Sequence, residues 1–281
     1  MLIDLLLVPF GASYAEMRTA ALSAEEAGFN GLWTFDHFRE PVPGTGAATP
    51  ECWTVLSALA EATSRLQLGP LVLNVANRKP GLLAGMAATL QQVSNGRLLI
   101  GLGAGGGAGT PYTSEQEMLC QPVESDRVRA EKVAEAAAVL RLLWSGSNDG
   151  YEGRHYQVRN PSGFLRAEPP PPIIIGGFGR RIARIAGSYG DGLNAPAGLT
   201  NLATLIELAR TERKSSGRDI DGFEVSVFAG FRSAWLNPTS PERGELERLG
   251  VRRLILQVQP PYPIDQIRPA NVSGPPAAPA G

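Results

Sequence analysis

A (β/α)8 barrel of the α/β class (a TIM barrel) is the fold the sequence predicts, and three observations predict it. The chain has 281 residues, an ordinary length for one such barrel and long for a single sandwich or bundle. Short apolar runs alternate with stretches of helical periodicity, a pattern that calls for a parallel sheet covered by helices. The first turn, Pro9-Phe10-Gly11-Ala12-Ser13, lacks the glycine fingerprint that a dinucleotide-binding sheet would carry there, and doubly wound sheets use five or six strands rather than eight.

In chain order, Leu2 to Val8 reads as a buried strand. Met17, Ala21 and Ala24 recur at helical spacing from Tyr14 to Ala27, and Gly28 ends that helix. Asn30 to Phe35 is a second apolar run, followed by a Pro/Gly-rich loop from His37 to Pro50. Glu51 to Thr63 is helical, Leu66 to Leu73 a third strand, Leu82 to Val93 a third helix and Arg97 to Gly103 a fourth strand. The long glycine-rich loop from Ala104 to Pro122 is expected to be functional, since loops of that length are uncommon in compact domains. Ser125 or Asp126 caps a helix that reaches Trp144. An excursion near 148–172 is expected to hold a hairpin and to return through the prolines at 169–172. Strand five is Ile173 to Ile175, followed by a helix from Arg180 to Ser188; strand six is Asp191 to Asn194, followed by a helix from Leu199 to Ser216. Strand seven is Phe223 to Ala229, followed by a helix from Pro241 to Leu249, and strand eight is Val251 to Gln257. The eighth helix is missing or atypical. Residues 1–268 are read as one barrel domain, and the Pro/Ala/Gly-rich tail at 269–281 is expected to be disordered. Something else, such as a partner subunit, would then cover strand eight.

Charge narrows the function. There are 26 basic and 27 acidic residues, so the chain has no basic excess of the kind that marks nucleic-acid or polybasic membrane binders. No run is long and apolar enough to suggest a membrane span. The first ten residues carry Asp4 and no basic leader, which reads as a strand rather than a signal peptide. Cys52 and Cys120 form neither a metal spacing nor a disulfide framework, which fits a cytoplasmic, reducing setting. Cys52 reads as a buried structural thiol.

A barrel places its chemistry at the C-terminal ends of its strands, so Asp36, His37 and the segment from Asn74 to Arg78 become candidates. His37 can donate, accept or carry a proton near neutral pH, or serve as a satisfied structural histidine. The run GLGAGGGAG at 101–109, with Gly103, Ala104 and Gly105, lets a flat ligand approach the backbone or acts as a lid hinge. Gly176-Gly177-Phe178-Gly179-Arg180-Arg181 joins a strand end to a helix N-terminus beside two arginines. It reads as a phosphate site, or as a plain helix start with surface arginines. No His/Cys/Asp/Glu cluster suggests a metal, and no nucleophile elbow is apparent. A phosphate grip with few acids or bases points to a cofactor that performs the chemistry.

Taken together the motifs resemble the luciferase-like monooxygenase superfamily, in particular its branch that uses the deazaflavin coenzyme F420. The matching pieces are AEEAGFNGLWTFDHF (24–38), TSRLQLGPLV (63–72), NRKP (77–80) and LQQVSNGRLLIGLGAG (90–105). They continue with Arg129 and Glu131 on the helix to LRLLW (140–144), then YEGRHYQV (151–158), PPPIIIGG (170–177) and YGDGLN (189–194). The resemblance implies a luciferase-like barrel that holds F420, or alternatively FMN, in its mouth. It implies a cis peptide at Asn74-Val75 behind the ring. It places the cofactor phosphate on Gly176, Gly177 and Gly179 with help from Arg180 or Arg181, Asp36 near the polar edge of the ring, and His37 near the hydride-accepting centre. The F420-dependent sugar-phosphate dehydrogenases keep a tryptophan four residues beyond that histidine and a glutamate after the strand-four glycines. Here those positions are Pro41 and Gly106, and the nearest carboxylates, Glu115 and Glu117, lie downstream. The expected function is hydride transfer between F420 and a small organic substrate, in a homodimer. The alternatives are an FMN-dependent monooxygenase and a non-catalytic flavin-binding barrel. A phosphosugar isomerase or aldolase would want a lysine or glutamate base at a strand end, which Lys79, Lys132 and Lys214 do not readily supply.

Overall fold

The structure, a computed structural model, describes residues 1–41 and 47–264. It begins with β1 (Leu2–Leu7), α1 (Tyr14–Glu26), β2 (Gly31–Thr34), α2 (Cys52–Ala62), β3 (Gln67–Pro70), β4 (Leu73–Asn74), α3 (Pro80–Val93) and β5 (Ile100–Gly103). Next come α4 (Ser114–Met118), α5 (Asp126–Ser145), β6 (Tyr151–Glu152), β7 (Gln157–Val158), β8 (Ile173–Gly176) and α6 (Arg180–Tyr189). It ends with β9 (Gly192–Pro196), α7 (Leu202–Ser215), β10 (Glu224–Gly230), α8 (Pro241–Arg248) and β11 (Arg253–Val258).

All pairings in the main sheet are parallel, in the order β3-β2-β1-β11-β10-β9-β8-β5-β4. β3 and β4 are two halves of one barrel strand: the first pairs with β2 and the second with β5. A bridge between Leu68 and Leu98 helps to draw the two ends of the sheet together, so the barrel is nearly closed. The excursion holds the expected hairpin, β6 against β7. The segment 259–264 after β11 is not an α-helix, and the tail at 269–281 lies outside the described residues.

Alternation along the strands separates two apolar layers. Leu5, Leu7, Leu32, Leu98, Ile100, Leu254 and Leu256 face the helices. Leu6, Val8, Trp33, Leu99 and Ile255 face inward, with Phe10, Phe35, Val72 and Phe228 packed against them. Each fully buried leucine contributes about 1.5–3 kcal/mol relative to its exposed state.

Local signals set the helix ends. Ser13 and Glu16 form a reciprocal capping box on α1, and Ser125, not Asp126, caps α5. At the far end of α1, Glu25 accepts the backbone N–H groups of Ser64, Arg65 and Leu66, which clips the entry to β3 onto the helix.

The N-terminal end of the barrel is plugged by a polar layer. The Arg253 guanidinium donates to Asp4 Oδ2 at 2.5 Å, to Glu224 Oε1 at 2.8 Å and to Gln67 Oε1 at 2.6 Å. The Trp33 indole donates to the same Asp4 oxygen at 2.7 Å. Burial opposes the charge on Arg253, but the carboxylates of Asp4 and Glu224 outweigh it and push the guanidinium pKa higher still. This plug leaves the opposite end of the barrel to the chemistry.

Candidate active site

Asp36 and His37 leave β2 side by side at the mouth but have different environments. Asp36 is buried; it accepts Arg78 Nη1 at 2.7 and 2.9 Å and the Asn74 N–H at 3.0 Å. Arg78 also pairs with Glu51, whose other bonds cap α2 at Trp53 and Thr54. Burial by itself would raise the Glu51 carboxyl, but bonds from Thr54 and Trp53 and the charge of Arg78 hold it below its usual range. Asp36 is therefore a strut joining β2, β4 and α2.

His37 keeps contact with solvent, its side chain 21% exposed. Its Nδ1 lies 3.0 Å from Glu115 Oε1, across 78 residues of sequence. The same oxygen accepts the N–H of Phe38 at 2.7 Å and of Arg39 at 3.2 Å. Arg39 in turn donates to the Ser114 carbonyl, which ties the 104–122 segment to the loop after β2. That segment is not structureless: a short 3-10 turn at Pro111–Thr113 leads into α4. The His37 ring is flanked by Phe10, Phe35 and Tyr112, with ring centroids 5.8, 6.1 and 6.1 Å away. Position 106 is glycine for a steric reason: a Cβ there would meet the Tyr112 backbone at 2.5 Å. The carboxylate that position 106 cannot carry is brought to His37 by Glu115.

The break in the third barrel strand contains a non-prolyl cis peptide at Leu71-Val72. The expectation of a cis bond at Asn74-Val75 is thus corrected; that bond is trans, and Asn74 instead closes a local turn by accepting the Ala76 N–H. Val72 points into the barrel against three glycines. Cβ atoms on Gly103 and Gly176 would lie 2.3 and 2.7 Å from its methyl groups, and one on Gly101 would lie 2.1 Å from the Pro70 carbonyl. Gly101, Gly103 and Gly176 thus provide clearance for Val72 and the Pro70 carbonyl rather than a flexible loop.

At the end of β8 the turn expected to cradle a phosphate differs from the expectation at Gly177. The Gly177 N–H is committed to the Asn194 carbonyl, so it is not a free donor. Gly177 is small because a Cβ would meet Ile182 at 2.7 Å. What remains is the N-terminus of α6, where Gly179 supplies no side-chain cap and a Cβ would meet nothing within 4 Å. Phe178, Arg180 and Arg181 are exposed beside it. First-turn N–H groups, the helix dipole and two guanidinium groups suit an anion. A cavity of about 860 Å3 opens at the ends of β9, β10 and β11, lined in part by Phe228, Arg232, Trp235 and Gln257. His155, the other histidine, pairs with Glu131 beside the hairpin and away from these residues.

Strand-end position pointed to Asp36, His37, Asn74, Gly103 and the α6 start. Glu115, Tyr112, Phe10 and Phe35 were missed as partners of His37. Only the amphipathic break in the glycine loop at PYTSEQE hinted that the loop folds back.

Residues 6–237 match the sequence profile of the family described as luciferase-like monooxygenase. An F420-dependent glucose-6-phosphate dehydrogenase of Amycolatopsis mediterranei is 31% identical over 179 residues, covering 63% of this chain and 52% of that protein. An F420-dependent hydroxymycolic acid dehydrogenase of Mycobacterium tuberculosis is 28% identical over 218 residues, covering 74% of this chain and 57% of that one. The chain thus spans little more than half the length of these curated relatives. Among solved structures, an F420-dependent secondary alcohol dehydrogenase in complex with an F420-acetone adduct superposes with a TM-score of 0.79 at 19% identity, covering 95% of this chain and 96% of that one. The profile match covers most of the barrel and includes the His37 strand end, the split third strand and the β8–α6 turn: the chain belongs to the luciferase-like monooxygenase family.

Proposed function

We propose that the protein is an F420-dependent oxidoreductase that exchanges a hydride with a small organic substrate in the barrel mouth. The observation that carries this reading is His37, held by its Nδ1 and flanked by aromatic rings at the strand end, with Nε2 unpartnered among the described residues. The names of the curated relatives support F420 as the cofactor. The residues fit a ring that carries a phosphate-bearing tail: Val72 and its glycines form a smooth floor, and the bare α6 terminus with Arg180 and Arg181 suits the phosphate.

When bound, F420 supplies the ring carbon that exchanges the hydride. The chain supplies the rest. His37 Nε2 accepts the proton of a substrate hydroxyl, so that an alcohol carbon losing hydride becomes a carbonyl. Phe10, Phe35 and Tyr112 line the approach to that proton, at a site that still touches solvent.

The test is titration of the purified protein with F420 and with FMN, following cofactor fluorescence. Submicromolar binding of F420 with weak binding of FMN is expected, and the reverse result would replace this reading with an FMN-dependent monooxygenase. Replacing both Arg180 and Arg181 by alanine is expected to weaken F420 binding about 10- to 100-fold, the size of one or two charge-assisted hydrogen bonds. The melting temperature should not move, since both side chains are exposed. Equal affinity in the double variant would remove the phosphate from the α6 terminus.

A further inference from the structure

Glu115 has a role that its place in the sequence does not suggest. Its carboxylate is 3% exposed, and one oxygen, Oε1, receives three contacts. Two of these come from the backbone N–H groups of Phe38 and Arg39, which can only donate. Oε1 therefore acts as an acceptor, and the third contact must also be a donor: the proton sits on His37 Nδ1. A neutral ring with Nδ1–H has its lone pair on Nε2, which has no hydrogen-bond partner among the described residues. His155 provides the opposite case in the same chain. Its Nε2 lies 3.0 Å from Glu131 Oε2, which favours a proton on Nε2.

We propose that Glu115 is a positioning residue that fixes His37 in the Nδ1–H tautomer, so that His37 is held ready to take a proton at Nε2 while the 104–122 segment is folded down. The proposal rests on the reading of His37 as a proton acceptor. The segment is anchored by Arg39 to the Ser114 carbonyl and by Arg129 to the Ala104 and Gly105 carbonyls. The fold of the segment and the tautomer of the base are thus linked through one carboxylate. This arrangement guards against proton loss before the mouth is covered.

The experiment uses the whole protein, labelled with 15N histidine and free of cofactor, at alkaline pH. Only two histidines are present, so each ring gives its own cross-peak pattern. In the unaltered protein His37 should show the Nδ1–H pattern and His155 the Nε2–H pattern. Glu115→Leu should turn His37 into a mixture of tautomers, with His155 unchanged as the control. Glu115→Gln, which keeps an accepting oxygen, should restore the single tautomer. F420-coupled turnover over a panel of small alcohols should fall about 10- to 100-fold in Glu115→Leu and recover in Glu115→Gln, the range seen when a supporting partner of a functional histidine is lost. An Nε2–H pattern for His37 in the unaltered protein overturns the proposal without any variant, so a Glu115→Leu chain that fails to fold does not shield it. An unchanged His37 pattern in a folded Glu115→Leu also overturns it. If the tautomer is as stated but His37→Asn turns over normally, the proposed role of His37 as the base fails, while the control of its tautomer by Glu115 stands.

Discussion

His37→Asn is expected to lower F420-coupled turnover by about 10²- to 10⁴-fold, the usual contribution of one well-placed acid–base group. Asparagine is the informative replacement. Its side-chain amide N–H can still reach Glu115 Oε1, so the loop after β2 keeps its anchor. It offers no basic nitrogen where Nε2 stood. The aromatic wall of Phe10, Phe35 and Tyr112 is untouched, so F420 affinity should be retained. Steady-state kinetics beside a fluorescence titration checks both halves. A drop in kcat with unchanged cofactor binding places His37 in the proton step. A loss of binding with unchanged kcat at saturation would make it part of the cofactor's wall instead.

Arg253→Met is expected to destabilise the fold by about 3–5 kcal/mol, because it strands a buried carboxylate. Asp4 would keep only the Trp33 indole as a donor, at a site with 0% exposure. In the intact protein burial already raises the Asp4 carboxyl above the ordinary carboxylate range, against the pull of Arg253 and the Trp33 bond. Without Arg253 that rise must grow. A carboxyl that holds its proton to higher pH in the folded chain than in the unfolded one loses stability as pH rises through that window. The deficit of Arg253→Met relative to the unaltered protein should therefore shrink as pH is lowered from neutrality toward the unfolded carboxylate range. Denaturant unfolding at several pH values measures it. The double change Asp4→Asn with Arg253→Met should recover part of the loss, and a deficit independent of pH would show that Asp4 is not its source.

Much of the barrel can be read in the sequence because parallel strands buried on both faces appear as apolar runs, and α1 and α5 carry their caps beside them. The strand-end rule then picks out His37 and the glycines of β5 and β8. The rule cannot supply contacts made across the mouth. Glu115 is 78 residues from His37, and nothing local distinguishes it from Glu117. The cis bond lies three residues before the expected one, because where an interrupted strand bends is decided by what it packs against. Here that is Gly101, Gly103 and Gly176, on two other strands. The Asp36–Arg78–Glu51 chain is equally silent in sequence, since its three members come from the loop after β2, the loop after β4 and the cap of α2.

The clearance around Val72 also bears on redesign of the mouth. Three glycines on neighbouring strands crowd against one valine and the Pro70 carbonyl, so single substitutions can move the site in one direction only. Enlarging any of the glycines drives a carbon into Val72 or the Pro70 carbonyl, whereas trimming Val72 deepens the floor without touching a strand. A library that seeks bulkier substrates should start at residue 72 and leave the glycines alone. One that seeks to refill the barrel must change residue 72 first and Gly103 or Gly176 after it, while Gly101 stays blocked by the Pro70 carbonyl.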